Sequence, residues 1–403
     1  MSNIFIQIAS YRDPELVPTI RDCLAKASNK HQLSFAICWQ KDETESLYEF
    51  TNDKRFKVID HHWSKSKGLC WARSQIQKLW SGEEYTLQLD SHHRFAQNWD
   101  EQLIEMMSLT DSNKPIITSY AGMYRPLDNK LLNMEPYKMV ASEFTNSGTI
   151  LFRPHVIEHW ENLKKPIPAR FVSGHYFFTI GKHCTEYKYD PNIYFAGDEI
   201  SLSIRSFTLG YDLFHPHKTV VWHEYTREGR TKHWSDFNTE NVNSGVVEKP
   251  WHIMDMESKK RLRHMLKEED NNIDLEEYGL GDVRTHKEYE DYAGINFQYK
   301  QLHNLTLSGK DPPINDKSEW WIDKMKEQEY RLSISLPDFN DTFEFIYVGV
   351  EDNSGQVLYR EDIRKNNYTK IMKLIFKSGT KPYKIIFWPH SQKQWLDRTD
   401  ILI

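Results

Sequence analysis

The chain has 403 residues, longer than the size at which a single hydrophobic core usually keeps growing, so two or more domains are expected. Its 39% hydrophobic and 13% aromatic content suits a large core, and a net charge of −6 with interspersed signs argues against nucleic acid or an anionic membrane as partner. No apolar run reaches the roughly 18 residues of a membrane helix. The four scattered cysteines fit neither a disulfide framework nor a zinc pattern. A soluble cytoplasmic protein is expected.

The first hundred residues read as alternating strands and helices. Residues 4–9 form a short apolar strand, too brief and too soon met by Arg12 and Asp13 to be a signal peptide. Residues 14–26 have helical spacing through Leu16, Ile20, Cys23 and Leu24, with Asp13 as cap and Pro14 in first position. Strand-like runs follow at 33–39 and 56–60, a helix at 69–80, and a strand at 85–89 that ends in Asp90. This alternation predicts a mainly parallel sheet covered on both faces, with ligands at the carboxyl ends of its strands. Asp13, Asp60 and Asp90 follow such runs and are candidates for that rim.

Further on, helices are expected at 99–109, after His155 and at 199–209. Strands are expected at 115–120, 148–154, 175–181 and 218–223. Charged helical stretches such as 258–268 dominate residues 251–328, read as an extension packed on a catalytic domain of residues 1–250. Residues 329–403 differ in kind. Runs at 330–336, 342–350, 368–376 and 382–388 are rich in β-branched and aromatic residues, with turn signals such as Asp352-Asn353-Ser354-Gly355 between some of them, which predicts a small all-β domain.

The chemistry centres on Leu87-Gln88-Leu89-Asp90-Ser91-His92, an apolar strand ending in a carboxylate and an imidazole two residues apart. Side chains two apart on extended backbone point the same way, so both can reach one cation. Asp supplies a hard oxygen, and His moves preference from Mg²⁺ toward Mn²⁺-like ions. By itself the triplet is more often an ordinary strand-to-turn ending. Upstream, Gly68 opens a helix and lets backbone approach a phosphate closely, with Arg73 able to contact a nucleotide. Downstream, Asp198 and Glu199 follow the Phe195-Ala196-Gly197 turn, read either as helix-dipole complements or as sugar- and acceptor-side carboxylates. His223 ends a short β-branched run, either as a third metal ligand or as a satisfied core histidine.

Taken in order, the segments resemble the polypeptide N-acetylglucosaminyltransferases that modify hydroxyproline on a cytoplasmic ubiquitin-ligase adaptor. More distantly they are similar to the polypeptide N-acetylgalactosaminyltransferases. The matching stretches begin with Ile8-Ala9-Ser10-Tyr11-Arg12-Asp13-Pro14-Glu15-Leu16, Gly68-Leu69-Cys70-Trp71-Ala72-Arg73 and Leu89-Asp90-Ser91-His92. Phe195-Ala196-Gly197-Asp198-Glu199 and Tyr278-Gly279-Leu280-Gly281-Asp282-Val283-Arg284-Thr285 complete the set.

The resemblance implies an α/β GT-A fold with a Rossmann-like nucleotide-binding half, a UDP-sugar donor, Mn²⁺ or Mg²⁺, and retention of anomeric configuration. It matches Asp90, His92 and His223 to metal ligands. Ser10, Tyr11, Arg12, Asp13 and Arg73 match the uridine-diphosphate site, with Gly68 and Ser91 placed beside them, and Asp198 and Glu199 match the sugar- and acceptor-side pair. The expected activity is transfer of N-acetylglucosamine from UDP-GlcNAc to a glycan or polypeptide hydroxyl. Alternatives are a capsule or O-antigen transferase using another UDP-sugar, or a catalytically silent carbohydrate-binding scaffold. The β-rich tail is expected to bind acceptor, cap the fold, or support a homo-oligomer.

Overall fold

The computed structural model describes residues 1–145, 149–226, 229–313, 328–337, 339 and 343–403. An eight-stranded sheet organises the N-terminal half. Its order is Ile167–Pro168, Asp212–His215, Pro115–Thr118, Tyr176–Ile180, Tyr85–Asp90, Asn3–Tyr11, Gln32–Lys41 and Phe56–His62. The last four run parallel, and Tyr176–Ile180 inserts antiparallel between Tyr85–Asp90 and Pro115–Thr118. From Asn3–Tyr11 the chain first builds outward on one side and then returns to the other at Tyr85–Asp90. That reversal opens a crevice at the carboxyl ends of these two strands, where α/β sheets bind ligands.

Alternation along Asn3–Tyr11 shows why the sheet is a central layer. Ile4, Ile6 and Ile8 pack with Leu16, Ile20 and Cys23 of helix Leu16–Lys26 and with Trp99, Leu103 and Met106 of helix Trp99–Ser108. Phe5 points the other way, to Ala72 and Ile76 of helix Leu69–Gln77. Each such fully buried side chain contributes about 1.5–3 kcal/mol.

Two local expectations are corrected. The first helix begins at Leu16, and Glu15, not Asp13, occupies its N-cap position. Asp13 lies on the rim instead, accepting from the backbone N–H of Glu15 and from Ser91. After His155 there is no long helix. The strand Ile150–Val156 continues through it, paired antiparallel with Tyr137–Phe144, and only a short 3₁₀ turn follows at Trp160–Asn162. Pairing with a partner strand overrides local spacing there, and Pro166 and Pro168 discourage a helix further on.

Helix Trp251–Met265 starts earlier than expected, and helix His286–Ala293 is held by a Thr285/Glu288 capping box. Leu262, Met265, Tyr289 and Ala293 share a core with Ile200, Leu202 and Ile204 of helix Asp198–Thr208. Among the described residues the C-terminal segment has six strands. Gln328–Ser335 pairs with Ile371–Ser378, and Val357–Arg364, Phe343–Glu351, Lys384–Ser391 and Thr399–Leu402 form a four-stranded sheet. Val348, Val350, Leu374, Ile385 and Phe387 close a separate core between the two sheets. Trp251 meets Phe345 edge-on at 5.7 Å, one of the contacts that join this segment to the rest. Among the described residues no helix is long and apolar enough to cross a membrane.

Candidate active site

Strand Tyr85–Asp90 is buried from Thr86 to Leu89, and the Asp90 N–H donates to the His175 carbonyl at 3.1 Å. The chain then turns through Ser91 and His92 into His93–Phe95, an edge of a second, four-stranded sheet. The neighbouring strand Val221–His223 pairs with it so that His223 lies opposite His93. This register brings His223 back to the rim. One ligand atom from each of Asp90, His92 and His223 lies within 4.8 Å of the others. The Nε2 atoms of His92 and His223 stand 3.7 and 3.6 Å from Asp90 Oδ2.

These three residues fit a divalent cation. Both ring nitrogens of His223 are buried without a hydrogen-bond partner, an arrangement that needs an explanation in a polar site. Burial, reinforced by its histidine neighbours, keeps the His223 pKa well below its ordinary value, so one ring nitrogen keeps its lone pair free. Burial opposes charge on Asp90, but His223, Arg73 and His92 outweigh it and hold the carboxyl well below the usual range. One hard oxygen and two imidazole nitrogens suit a first-row divalent ion.

A supporting layer fixes these groups. Asp13 Oδ2 accepts from Ser91 Oγ at 2.7 Å and lies 2.7 Å from His92 Nδ1. That contact orients the His92 ring and favours the proton on Nδ1, leaving Nε2 toward Asp90. Although burial resists it, His92 and Arg230 lower the Asp13 pKa to about 2. Arg230 Nη1 sits 2.7 Å from His92 Nε2, and Nη2 pairs with Glu224 at 2.7 Å.

Arg73, fully buried in helix Leu69–Gln77, bridges the rim to the downstream pair. It donates to Asp90 Oδ1 at 3.0 Å, to the Gly174 carbonyl at 2.5 Å, and to Asp198. Burial pushes Asp198 upward, against the opposing Arg73 charge. Glu199 accepts from the Gly174 N–H at 2.9 Å and from the Tyr120 hydroxyl at 2.8 Å. Burial nevertheless raises its pKa to about 7.

Asp13, Arg73, Asp90, Ser91, His92, Asp198, Glu199 and His223 thus gather in one cluster. Ser10, Tyr11, Arg12 and Gly68 belong to a second. The Ser10 carbonyl accepts from Gln40, whose Oε1 accepts from Ser66, and Ser66 Oγ accepts from the Gly68 N–H. His233 Nε2 lies 2.9 Å from Ser66 Oγ, while Tyr11 and Arg12 donate to Asp236 at 2.7 and 2.8 Å. Gly68 has φ +107°, and a Cβ there would lie 2.6 Å from Tyr194 Cδ2. Its close backbone approach is therefore to residue 194. Asp60 stands apart, paired with Lys41 at 2.8 Å.

Sequence reasoning missed Gln40, Ser66, His175, Arg230, His233 and Asp236. The aromatic-rich run Tyr225-Thr226 and Lys232-His233-Trp234 was the available signal that the chain after His223 returns to the rim. Arg227, in the same stretch, lies outside the described residues.

A carboxylate and two imidazoles thus meet at the strand-order reversal of an α/β sheet, where such sheets bind ligands. The chain belongs to the Glycosyltransferase (GlcNAc) family, whose sequence profile matches residues 3–52 and 47–299. No curated protein matches it by sequence. Among solved structures it is similar to GalNAc-T7 with UDP, GalNAc and Mn²⁺, at 16% identity and TM-score 0.46 over 72% of this chain and 54% of that one. It is also similar to S. aureus TarS 1-349, at 12% identity and TM-score 0.36 over 55% of this chain and 60% of that one. For the TarS complex with UDP-GlcNAc the identity is 12%, the TM-score 0.38, and the coverage 57% and 60%. The chain therefore spans between 54% and 60% of these structures' lengths.

Proposed function

We propose that the protein moves N-acetylglucosamine from UDP-GlcNAc to a hydroxyl of a glycan or polypeptide acceptor, with retention of configuration. The observation that carries this reading is the convergence of Asp90, His92 and the unpartnered nitrogens of His223 at the strand-order reversal. Membership of the GlcNAc family supports the sugar. In this reading residues 1–250 form the catalytic domain, 251–328 a helical extension and 329–403 a β-rich domain; residues 314–327 lie outside the described ones.

Asp90, His92 and His223 would hold Mn²⁺ or Mg²⁺, which when bound offsets the charge that builds on a departing diphosphate. Asp13 and Ser91 keep His92 turned toward the metal site, and Arg73 keeps Asp90 charged and in place. The cluster of Ser10, Tyr11, Arg12 and Gly68 borders the crevice where the uridine end of the donor would lie. Glu199, with its pKa near neutrality, is placed to hold or release a proton on the acceptor side. A retaining reaction needs no such base, since the leaving phosphate oxygen can take the acceptor proton.

The test is UDP release from UDP-GlcNAc, UDP-GalNAc and UDP-glucose, with Mn²⁺ or EDTA, by the parent and by Asp90→Ala. Metal-dependent release largely confined to UDP-GlcNAc and lost in Asp90→Ala is the expected result. Equal UDP–Mn²⁺ binding by parent and variant would remove the metal site from Asp90. NMR of the product anomer checks the stereochemistry, and inversion would make Glu199 the base to examine.

A further inference from the structure

One stretch of the chain, residues 230–237, crosses both clusters of the rim. At its start the Arg230 guanidinium lies 2.7 Å from His92 Nε2, pairs with Glu224 at 2.7 Å, and has Asp13 Oδ2 at 3.5 Å. Three residues on, the His233 ring stacks on Phe237 at 3.9 Å and lies tilted against Tyr11 at 4.8 Å. Both of its nitrogens meet hydroxyls, Nδ1 that of Tyr194 at 2.7 Å and Nε2 that of Ser66 at 2.9 Å. Burial lowers the His233 pKa to about 3, so the ring is neutral. Asp236 completes the stretch by accepting from Tyr11 and Arg12.

Each of these contacts takes a place that the transferase reading gives to the donor or its metal. The His92 Nε2 lone pair serves either a guanidinium N–H or a metal ion, and two cations at one nitrogen repel. A neutral, planar, nitrogen-bearing ring among aromatic side chains, with a hydroxyl at each nitrogen, has the shape and bonding of a nucleobase. Ser and Tyr hydroxyls donate as well as accept, so Ser66 and Tyr194 can serve either ring. Asp236 occupies the Tyr11 hydroxyl and, together with Asp42, the Arg12 guanidinium. It also puts a negative charge beside a crevice that would receive an anionic donor.

The stretch is built to come away at one end. Its helical turn, His233–Asp236, is four residues long, has no side-chain cap and buries none of its residues. Before it, Gly229 has φ +72°, and a Cβ there would meet no described atom within 4 Å, so the backbone can turn freely. After it the chain is fixed. The Asp236 carbonyl accepts from Asn241 Nδ2 at 2.6 Å, and buried Phe237 accepts from the Trp251 N–H at 2.7 Å. A turn held by polar contacts over little buried apolar surface opens at low cost. We infer that residues 230–237 are an internal occupant of the donor site, with Arg230 in the place of the metal ion and His233 in the place of the nucleobase, and that the stretch withdraws when these bind. The inference rests on the transferase reading above.

The test follows amide hydrogen exchange of the full chain by mass spectrometry, with and without UDP–Mn²⁺. Exchange across residues 229–236 is expected to rise about tenfold on binding, as the turn leaves its contacts. In parallel, calorimetry measures UDP binding in the presence of Mn²⁺, and loss of the free-ion EPR signal measures Mn²⁺ binding without nucleotide. His233→Ala is expected to bind UDP about tenfold tighter than the parent, because it loses the internal competitor. Arg230→Gln is expected to bind Mn²⁺ alone about tenfold tighter for the same reason. The inference is overturned if exchange across 229–236 slows or stays the same on binding, or if Arg230→Gln binds Mn²⁺ no tighter. It is also overturned if His233→Ala binds UDP equally or more weakly; weaker binding would make His233 a ligand of the donor. The exchange measurement uses the parent and decides the matter even where a variant fails to fold. Absence of UDP–Mn²⁺ binding in the parent and both variants would overturn the transferase reading, and the displacement with it.

Discussion

Asp90 and Glu199 are joined through Arg73 and Gly174, yet the protein holds them in opposite states. Arg73 donates to Asp90 and to the Gly174 carbonyl, and the Gly174 N–H donates to Glu199. Asp90 has a guanidinium and two imidazoles around it and keeps about a quarter of its side chain, 25%, open. Its carboxyl stays ionised far below neutral pH. Glu199 has a hydroxyl and an amide N–H for company, and its pKa rises to about 7. Neutral donors do not offset burial as a nearby cation does. One carboxyl is thus charged at neutral pH, and the other stands close to its titration point there.

The largest expected effect comes from removing the residue that joins the two sides. Arg73→Met leaves Asp198 buried without its cation and strips Asp90 of one of its charges. Breaking a buried pair in this way costs about 3–5 kcal/mol, to be read from urea unfolding at neutral pH. A loss below about 1 kcal/mol would mean that Asp198 is already neutral in the parent, and the contrast would then lie between Asp90 and both downstream carboxyls. Asp90→Asn comes next. It keeps the shape but removes the charge, and metal-dependent UDP release is expected to fall about 10²–10³-fold. Release that kept its parent rate and its sensitivity to EDTA would move the cation site elsewhere.

How far the sequence told of this contrast depends on the range of the contacts. Asp90 and His92 are legible because an apolar strand ends on them and a two-residue spacing keeps them on one side. His223 is visible only as a histidine after a short β-branched run; its opposition to His93 is a matter of sheet register. Arg73 reads locally as a helix residue able to contact a nucleotide, and its partner Asp198 is 125 positions away. Arg230 and Asp236 come from a stretch of sequence with no periodicity to read. The alternating N-terminal elements were legible for the opposite reason, since their burial pattern is local. The strand Val357–Arg364 escaped because its Arg360-Glu361-Asp362 run reads as loop, whereas pairing to Phe343–Glu351 holds it extended. The helix expected after His155 failed for the same reason in reverse.

Glu199→Gln tests the proton-exchanging side directly. Because the folded pKa of Glu199 lies above its ordinary value, the folded state takes up the proton more readily than the unfolded chain. The stability this gives is fully present below about pH 4.5 and is lost as pH rises through about 7. The parent should therefore lose about 3 kcal/mol across that window relative to Glu199→Gln, whose amide can still accept from Gly174 and donate to Tyr120. Parallel pH profiles of unfolding free energy for the two proteins would show that Glu199 is ionised throughout, and the contrast with Asp90 would disappear.

Tyr120→Phe gives the smallest effect and the finest adjustment of the same comparison. The Tyr120 hydroxyl donates to Glu199 Oε2 at 2.8 Å, and this bond favours the ionised carboxylate. Its removal should cost about 1 kcal/mol at high pH, where the carboxylate loses a donor. At low pH the cost should be smaller, because a protonated Glu199 needs that donor less. The stability lost with rising pH should then extend above pH 7, opposite in direction to the flat profile of Glu199→Gln. An unchanged window in Tyr120→Phe would assign the raised pKa to burial alone, with the Gly174 N–H as the one hydrogen bond that counts against it. A window shifted upward would show that Tyr120 keeps Glu199 within reach of neutral pH. Asp90 has no need of such adjustment while Arg73 and the histidines surround it.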